Sequence, residues 1–413
     1  MMNDKFLEMV KELPALDHDA FLAAMEQEPA ISVKLNRRKC RDITEIGYGK
    51  PTRVAWCESG YYLEERPKFT FNPLLHAGLF YVQDASSMIY ETLTARILEM
   101  MDIEAPSVID LCAAPGGKTT SMINALPDGS LVVANEFTPQ RAKILTENLL
   151  KWGYPEIMVT NSPTGKAAAV GEMFDIVAVD APCSGEGMMR KDETACSQWG
   201  PGLVAQCSAL QREILENATA MLRPGGYMIY STCTFNTEED EQNLRYLIEV
   251  LGLEPVDMQL PKEWGIGSQL IGDYPALRFM PHLTRGEGLF AAVARKPGEA
   301  RQTTQSRIRE TVKKRMRVIL DGIPHTELKG KVEAPLTEWA LSTDFPVGKY
   351  PEVELDEMTA LQYLRHEAVQ LPAETERGYV VVKYRGARLG VVKNLGNRAN
   401  NLYPAEWRIR MKN

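Results

Sequence analysis

A chain of 413 residues is too long for one compact core, so two or three domains are expected. With 44% hydrophobic and 25% charged residues it reads as a globular protein, neither disordered nor fibrous, and no stretch is apolar enough to span a membrane. A net charge of −8 argues against generic polyanion binding. Seven cysteines without framework spacing and only five histidines predict reduced thiols in a cytoplasmic protein, with no metal site.

Residues 1–95 read as a mixed N-terminal domain. Helical periodicity covers Asp4 to Leu13 and Phe21 to Glu28, and Ile31 to Asn36 alternates as a strand before the basic Arg37-Arg38-Lys39. The N-terminal segment to Phe21 mixes acids and lysines and does not read as a signal peptide. Gly60 to Phe71, rich in aromatics and Pro, reads as strands and turns.

Residues 96–296 alternate strand and helix. Ser107 to Leu111 is a strand and Lys118 to Leu126 a helix. Leu131 to Ala134 is a strand closing at Asn135-Glu136, and Pro139 to Trp152 a helix with Pro at its start. Phe174 to Val179 is a strand closing at Asp180. Val204 to Leu222 is a long helix stopped by Arg223-Pro224-Gly225-Gly226. Tyr227 to Ser231 and Leu289 to Ala294 complete the strands. This order predicts an α/β core with a mostly parallel, doubly wound sheet.

Residues 297–325 form a basic linker and helix; between Arg301 and Arg317, Arg301, Arg307, Arg309, Lys313, Lys314, Arg315 and Arg317 oppose only Glu310. Residues 326–413 form a small C-terminal domain with a hairpin, Tyr379 to Tyr384 against Leu389 to Lys393. Its surface carries Lys383, Arg385, Arg388 and Lys393, while acid gathers at Glu238-Glu239-Asp240-Glu241. The basic stretches suit either a solvated face or nucleic acid.

The turn Cys112-Ala113-Ala114-Pro115-Gly116-Gly117-Lys118 joins the first core strand to its helix. Two glycines let backbone approach a ligand, and the helix start offers free N–H groups to an anion. It is neither the dinucleotide fingerprint nor the phosphate loop. Glu136, at the next strand end, is placed to accept hydrogen bonds from both hydroxyls of a ribose. An adenosine cofactor without a long phosphate chain, S-adenosylmethionine, meets both features.

Cys183 and Cys233 each lie just past the carboxyl end of a strand, where open α/β sheets bind ligands. C5 of a pyrimidine is a poor nucleophile. A thiolate adding at C6 makes C5 enamine-like, so that it accepts a methyl group; loss of the C5 proton then lets the thiolate leave. Asp180 is placed to hold N3 and share a proton there. Cys40, Cys57, Cys112, Cys196 and Cys207 read as buried apolar side chains.

Together these residues resemble the Nol/Nop/Sun family of RNA cytosine-C5 methyltransferases. The likeness rests on Tyr81 to Ser87, Asp110 to Thr119, Asp180 to Asp192, Gly225 to Glu238 and Arg278 to Phe290. Gly185-Glu186-Gly187 and the stretch Gly396 to Pro404 look most like the bacterial RsmF-type branch, which modifies 16S ribosomal RNA near the decoding site. The resemblance implies a Rossmann-like class I S-adenosylmethionine-dependent methyltransferase core, with an N-terminal α+β domain and a C-terminal PUA-like α+β domain. It implies Cys233 as the nucleophile and Cys183 as the cysteine that assists product release. Cys112 to Lys118 would surround the methionine part of the cofactor, Lys118 lying near its carboxylate. Glu136 would bind the ribose, and Asp180 would lie beside both cofactor and base. Where many members place an Asp near the adenine, this chain has Ser162, so Asn161, Ser162 or backbone takes that task. The implied partner is 16S rRNA or the small ribosomal subunit, bound by a monomer.

Arg190 and Lys191 are expected to contact RNA phosphates, and Arg278 and His282 to contact RNA or support the site. Tyr61, Tyr62, Phe69, Phe71, Phe80 and Tyr81 are core candidates before they are stacking platforms. The competing readings are the same chemistry on transfer RNA or another ribosomal site, a non-catalytic assembly factor, and an amino-group methyltransferase. The last would prefer a Pro-Pro-aromatic loop where Asp180-Ala181-Pro182-Cys183 stands.

Overall fold

The structure, a computed structural model, describes residues 3–299, 301–330 and 332–411. Its centre is a nine-stranded sheet. From one edge the strands run Glu254–Val256, Leu289–Arg295, Leu222–Thr232, Phe174–Asp180, Ser107–Asp110, Leu131–Asn135, Ile157–Thr160 and Val318–Asp321, with Leu277–Phe279 also on Leu289–Arg295. The five middle strands from Leu222–Thr232 to Ile157–Thr160 are mutually parallel. The strands outside them pair antiparallel. Apolar runs such as Val108-Ile109 and Ile176 to Val179 are buried on both faces, as sandwiched parallel strands require.

Helices Gly117–Ala125, Pro139–Trp152 and Pro201–Met221 cross between these strands. The long helix starts three residues before the expected Val204, with Pro201 in its first turn. The following strand begins at Leu222 rather than Tyr227. The segment Arg223 to Gly226, expected as a stop, is carried along the sheet with a register shift between Phe174 and Ile176. Strand Ile157–Thr160 had no forecast in the sequence. The basic stretch after residue 297 forms helix Gln305–Arg315, and the strand that follows it pairs with Ile157–Thr160 at the sheet edge.

An antiparallel four-stranded sheet, in the order Thr52–Arg53, Gly60–Leu63, Ile31–Leu35, Phe80–Val82, precedes the core. Its inner side chains join one continuous apolar cluster with the central sheet and the C-terminal sheet. The first two helices, Asp4–Glu12 and His18–Met25, pack elsewhere. Phe6 meets Trp199 edge-on at 5.5 Å, and Phe21 meets Phe235 at 5.0 Å. They brace the loops that carry Cys183 and Cys233. The C-terminal sheet is Glu352–Glu354, Gly378–Tyr384, Ala387–Asn394, Ala399–Asn401, and its middle pair is the expected hairpin. Among the described residues no helix is long and apolar enough to cross a membrane.

Candidate active site

Parallel strands deliver their terminal residues to one edge, and here that edge gathers the chemistry. Asp180 ends Phe174–Asp180 and pairs in register with Ser231 of the neighbouring strand. Ser231 Oγ donates to Asp180 Oδ1 at 2.7 Å, and Lys118 Nζ donates to Asp180 Oδ2 at 2.8 Å. Tyr90 Oη lies 2.8 Å from Ser231 Oγ. Burial works to lower the Lys118 pKa, but the Asp180 carboxylate and the Cys233 sulfur raise it above its usual value. Lys118 is therefore a firmly charged ammonium between carboxylate and thiol. Asp180, its side chain 28% exposed, keeps an open side.

Cys183 Sγ lies 3.1 Å from Cys233 Sγ, and both cysteines are free. The Cys183 pKa is pushed well above 9.0 by its hydrogen bond to Cys233, by burial and by the charge of Cys233. Cys183 thus holds its proton.

Two buried carboxylates lock the loops carrying these sulfurs. Glu186, fully buried, follows Cys183, and its Oε2 accepts from the backbone N–H of Phe235 (2.5 Å) and Asn236 (2.9 Å) in the Cys233 loop. Its Oε1 accepts from Asn236 Nδ2 and Trp199 Nε1. In return Glu239, after Cys233, accepts through Oε2 from the backbone N–H of Ser184 at 3.0 Å and from Gln211 Nε2 at 2.7 Å. Gly187 N donates to Cys233 O at 2.9 Å, where a Cβ would stand 3.2 Å from that oxygen and 3.0 Å from Glu287 O.

Asp240 accepts from Thr232 Oγ1 and Thr234 Oγ1, the hydroxyls flanking Cys233. Arg278 pairs with Asp240 at 3.0 Å and with Glu241 through two bonds, and its Nη1 donates to Phe235 O at 2.8 Å. At 1% exposure Arg278 has no surface to offer RNA, which corrects half of its expectation; it supports the Cys233 loop. The Glu239-Asp240-Glu241 run is likewise not a solvated acidic patch, since all three are buried.

Gly116, at φ +110°, makes the turn into helix Gly117–Ala125 that only glycine takes without strain. A cavity of about 200 Å³ opens beside this turn, walled by Cys112 to Pro115, Gly117, Lys118 and Asp180 of the expected set, while Gly116 packs toward Leu145 and lies outside the lining. Tyr81, Gln83, Asp84 and Asp110 also line it. Asp110 Oδ1 and Gln83 Nε2 are buried there without a protein partner, one an acceptor and one a donor. An α-ammonium and an α-carboxylate are what such a pair lacks, so the cavity fits the amino-acid end of S-adenosylmethionine. Burial raises the Asp110 pKa to about 7, against the hydrogen bond from Thr119 Oγ1. Burial also raises the Cys112 thiol, which leaves it an inert wall.

Glu136 stands past the end of Leu131–Asn135, with Oε1 accepting from Thr138 N at 2.8 Å and Oε2 3.5 Å from Arg141 Nη1. The Phe137 ring, next in sequence, is 66% exposed. Asn161 is occupied: its Nδ2 donates to Glu136 O and Phe137 O, and its Oδ1 faces Arg317. Ser162 is buried, its hydroxyl accepting from Arg317 N at 2.8 Å. Both hold the loop through the added edge strand, so neither side chain is free for adenine.

Arg190 spends its guanidinium on Gln27 O and Gly286 O, tying the N-terminal helices to the loop before the last strand. Lys191 is ion-paired with Glu287 and partly exposed. His282 meets Phe21 edge-on at 5.9 Å, and burial lowers its pKa. Among the described residues no group of His, Cys, Asp or Glu is arranged to hold a metal.

Known families match in the same order along the chain. The model for 16S rRNA methyltransferase RsmB/F matches residues 95–295. The model for the N-terminal domain of 16S rRNA methyltransferase RsmF matches 2–85, and that for the methyltransferase RsmF PUA domain matches 350–409. The chain belongs to the RsmB/F methyltransferase family. A ribosomal RNA small subunit methyltransferase F of Enterobacter sp. is 29% identical over 98% of this chain and 95% of its own length. One from Escherichia coli O139:H28 is 35% identical over 71% of this chain, a match spanning 63% of that relative. Two Pyrococcus horikoshii structures share the fold over 71% of this chain and 98% of theirs. They are a methyltransferase homolog (TM-score 0.59, 24% identity) and NSun6 with SFG (TM-score 0.60, 21% identity). With the family comes the fold assignment: a Rossmann-like methyltransferase core between an N-terminal domain and a C-terminal PUA domain.

Proposed function

We propose that this chain is an S-adenosylmethionine-dependent RNA (cytosine-C5) methyltransferase acting on 16S rRNA near the decoding site. The observation that carries the reading is the sulfur pair, Cys183 and Cys233 at 3.1 Å, beside an Asp180–Lys118 ion pair at the mouth of the cofactor cavity. Transfer to a nitrogen or oxygen needs no thiol; transfer to C5 needs one that attacks and a means of letting it go.

Cys233 Sγ, as thiolate, adds to C6 of the target cytosine, with the Lys118 ammonium and the Cys183 S–H as its polar neighbours before attack. Asp180 faces N3 and shares a proton there, offsetting the charge that the adduct places on the ring. When bound with its amino-acid end at Asp110 and Gln83, the cofactor would supply an electrophilic methyl group. C5 then carries both the methyl group and its original proton. Removal of that proton reforms the C5–C6 double bond and expels Cys233 as thiolate, a step that Cys183 assists. A base in folded RNA must first be unstacked, at a cost of a few kcal/mol. The domains at residues 1–95 and 326–413 offset that cost by binding RNA around it.

The test is mass mapping of 5-methylcytosine in 16S rRNA incubated with the full chain and S-adenosylmethionine. Cytosine-C5 methylation that disappears with Cys233→Ala supports the reading. Methylation only of transfer RNA, only at nitrogen, or with Cys233→Ala unimpaired overturns it.

A further inference from the structure

The loop Arg285-Gly286-Glu287-Gly288 reaches the catalytic edge. Glu287 N donates to Asp84 Oδ1 at 2.8 Å, and Asp84 lines the cofactor cavity. Gly187, whose N–H bonds Cys233 O, is packed against Glu287 O. Arg285 therefore projects beside both the cavity wall and the Cys233 loop. It is exposed, and its guanidinium lies over the Tyr62 ring at 4.4 Å.

A second arginine comes from the N-terminal domain. Arg66 is exposed, lies 5.9 Å over the Phe69 ring, and follows Leu63, which pairs with Ile31 shortly after Gln27, the residue whose carbonyl holds Arg190 next to Lys191. Three chain segments, at Arg66, Lys191 and Arg285, thus bring cations to one rim. Acids are present too. Glu287 is taken up by Lys191, Asp84 accepts from Glu287 N and Ser87 N, and Glu64 and Glu65 precede Arg66 in an exposed stretch. Neither Arg66 nor Arg285 pairs with a carboxylate among the described residues.

Stacking occupies the face of a guanidinium and leaves its edge, where all five N–H donors lie, open to a planar or tetrahedral oxyanion. A stacked arginine without a carboxylate is a preorganised phosphate ligand, because the ring already restrains the long side chain. We propose that Arg285 and Arg66 form a seat for the ribose-phosphate backbone of the RNA strand flanking the target nucleotide. The inference rests on the RNA-methyltransferase reading and deepens it. An extruded base needs its two neighbouring phosphates held, and this rim is where the strand leaves the thiol pair. Phosphate contacts there fix position rather than sequence.

The experiment measures binding of a 16S rRNA transcript to the full chain across a salt series, for the wild type, Arg285→Gln, Arg66→Gln and Arg285→Lys. Melting temperature and S-adenosylmethionine binding serve as controls for folding. Each Gln variant is expected to bind RNA roughly tenfold more weakly near physiological salt. Each is also expected to flatten log K against log salt by roughly 0.7 for a single-strand phosphate contact. Arg285→Lys, which keeps charge but loses the stacked fork, falls between. If Arg285→Gln melts early, Arg66→Gln, on a separate segment, carries the test alone. Folded variants with wild-type RNA affinity and salt slope overturn the seat. Inorganic phosphate that raises the wild-type melting point but not that of the variants, with RNA binding unchanged, makes the rim a free-anion site and also overturns it. A wild-type chain that binds RNA through this rim but transfers no methyl group fails the function and leaves the seat standing.

Discussion

Glu186 and Glu239 are exchanged between the two cysteine loops: each sits on one loop and accepts a backbone N–H from the other, Glu186 from Phe235 and Asn236, Glu239 from Ser184. The 3.1 Å sulfur separation is thus set by two buried carboxylates and not by the sulfurs themselves. Glu186→Gln retains shape but replaces one accepting oxygen with an N–H that opposes the backbone donors. We expect a fall in kcat on the order of 10²-fold, since a misplacement of about 1 Å costs that much, with a smaller change in RNA affinity. Single-turnover methylation alongside RNA binding separates the two. Equal losses in both would make Glu186 a folding residue only.

Arg278 holds the same loop from behind, through Asp240, Glu241 and Phe235 O. Removing one member of a buried charge group leaves the others uncompensated. Arg278→Met is therefore expected to cost about 3–5 kcal/mol of stability, read from urea unfolding. Arg278→Lys is expected to recover little, because three donors on one nitrogen do not reproduce the four contacts that the planar fork makes from three nitrogens. A loss below about 1 kcal/mol for Arg278→Met would show that the group is relaxed in solution.

Asp110 gives a pH dependence with a definite sign. Its pKa stands at about 7 in the fold, raised by burial above the ordinary aspartate value of 3.8. Between these values the folded chain holds a proton that the unfolded chain has lost, so cofactor-free stability falls as pH rises across that window. Cofactor binding runs the other way, because an α-ammonium needs the ionised carboxylate. S-adenosylmethionine affinity should weaken as pH falls from about 8 to about 6, by at most tenfold per unit. Asp110→Asn should flatten the profile. Calorimetric titration across that range checks both, and a pH-independent wild type would place the ammonium elsewhere.

What the sequence displayed were features written in contiguous residues. The apolar runs ending at Glu136, Asp180 and Cys233 became strands whose ends share one edge, and Cys112 to Pro115 with Gly117 and Lys118 became the cavity wall. Hidden were features made by residues far apart. Glu239, Asp240 and Glu241 showed only as a concentration of acid, because their partners Ser184 and Arg278 lie 55 and 37 residues away. Val318–Asp321 is a short, half-exposed strand whose place depends on Ile157–Thr160, itself only four residues long. The occupied side chains of Asn161 and Ser162 follow from that pairing, so their expected contact with adenine had no way to be tested in one dimension. The Arg223 to Gly226 stretch carried every local stop signal, yet the sheet kept it.

The mechanism requires a covalent bond between Cys233 and the RNA base, and that bond can be trapped. Cys183→Ala is incubated with 16S rRNA and S-adenosylmethionine, resolved under denaturing conditions, and the cross-linked peptide is identified by mass spectrometry. We expect a stable protein–RNA adduct on Cys233, absent from the Cys183→Ala, Cys233→Ala double variant. An adduct on another residue, or full methylation by the double variant, would contradict the account.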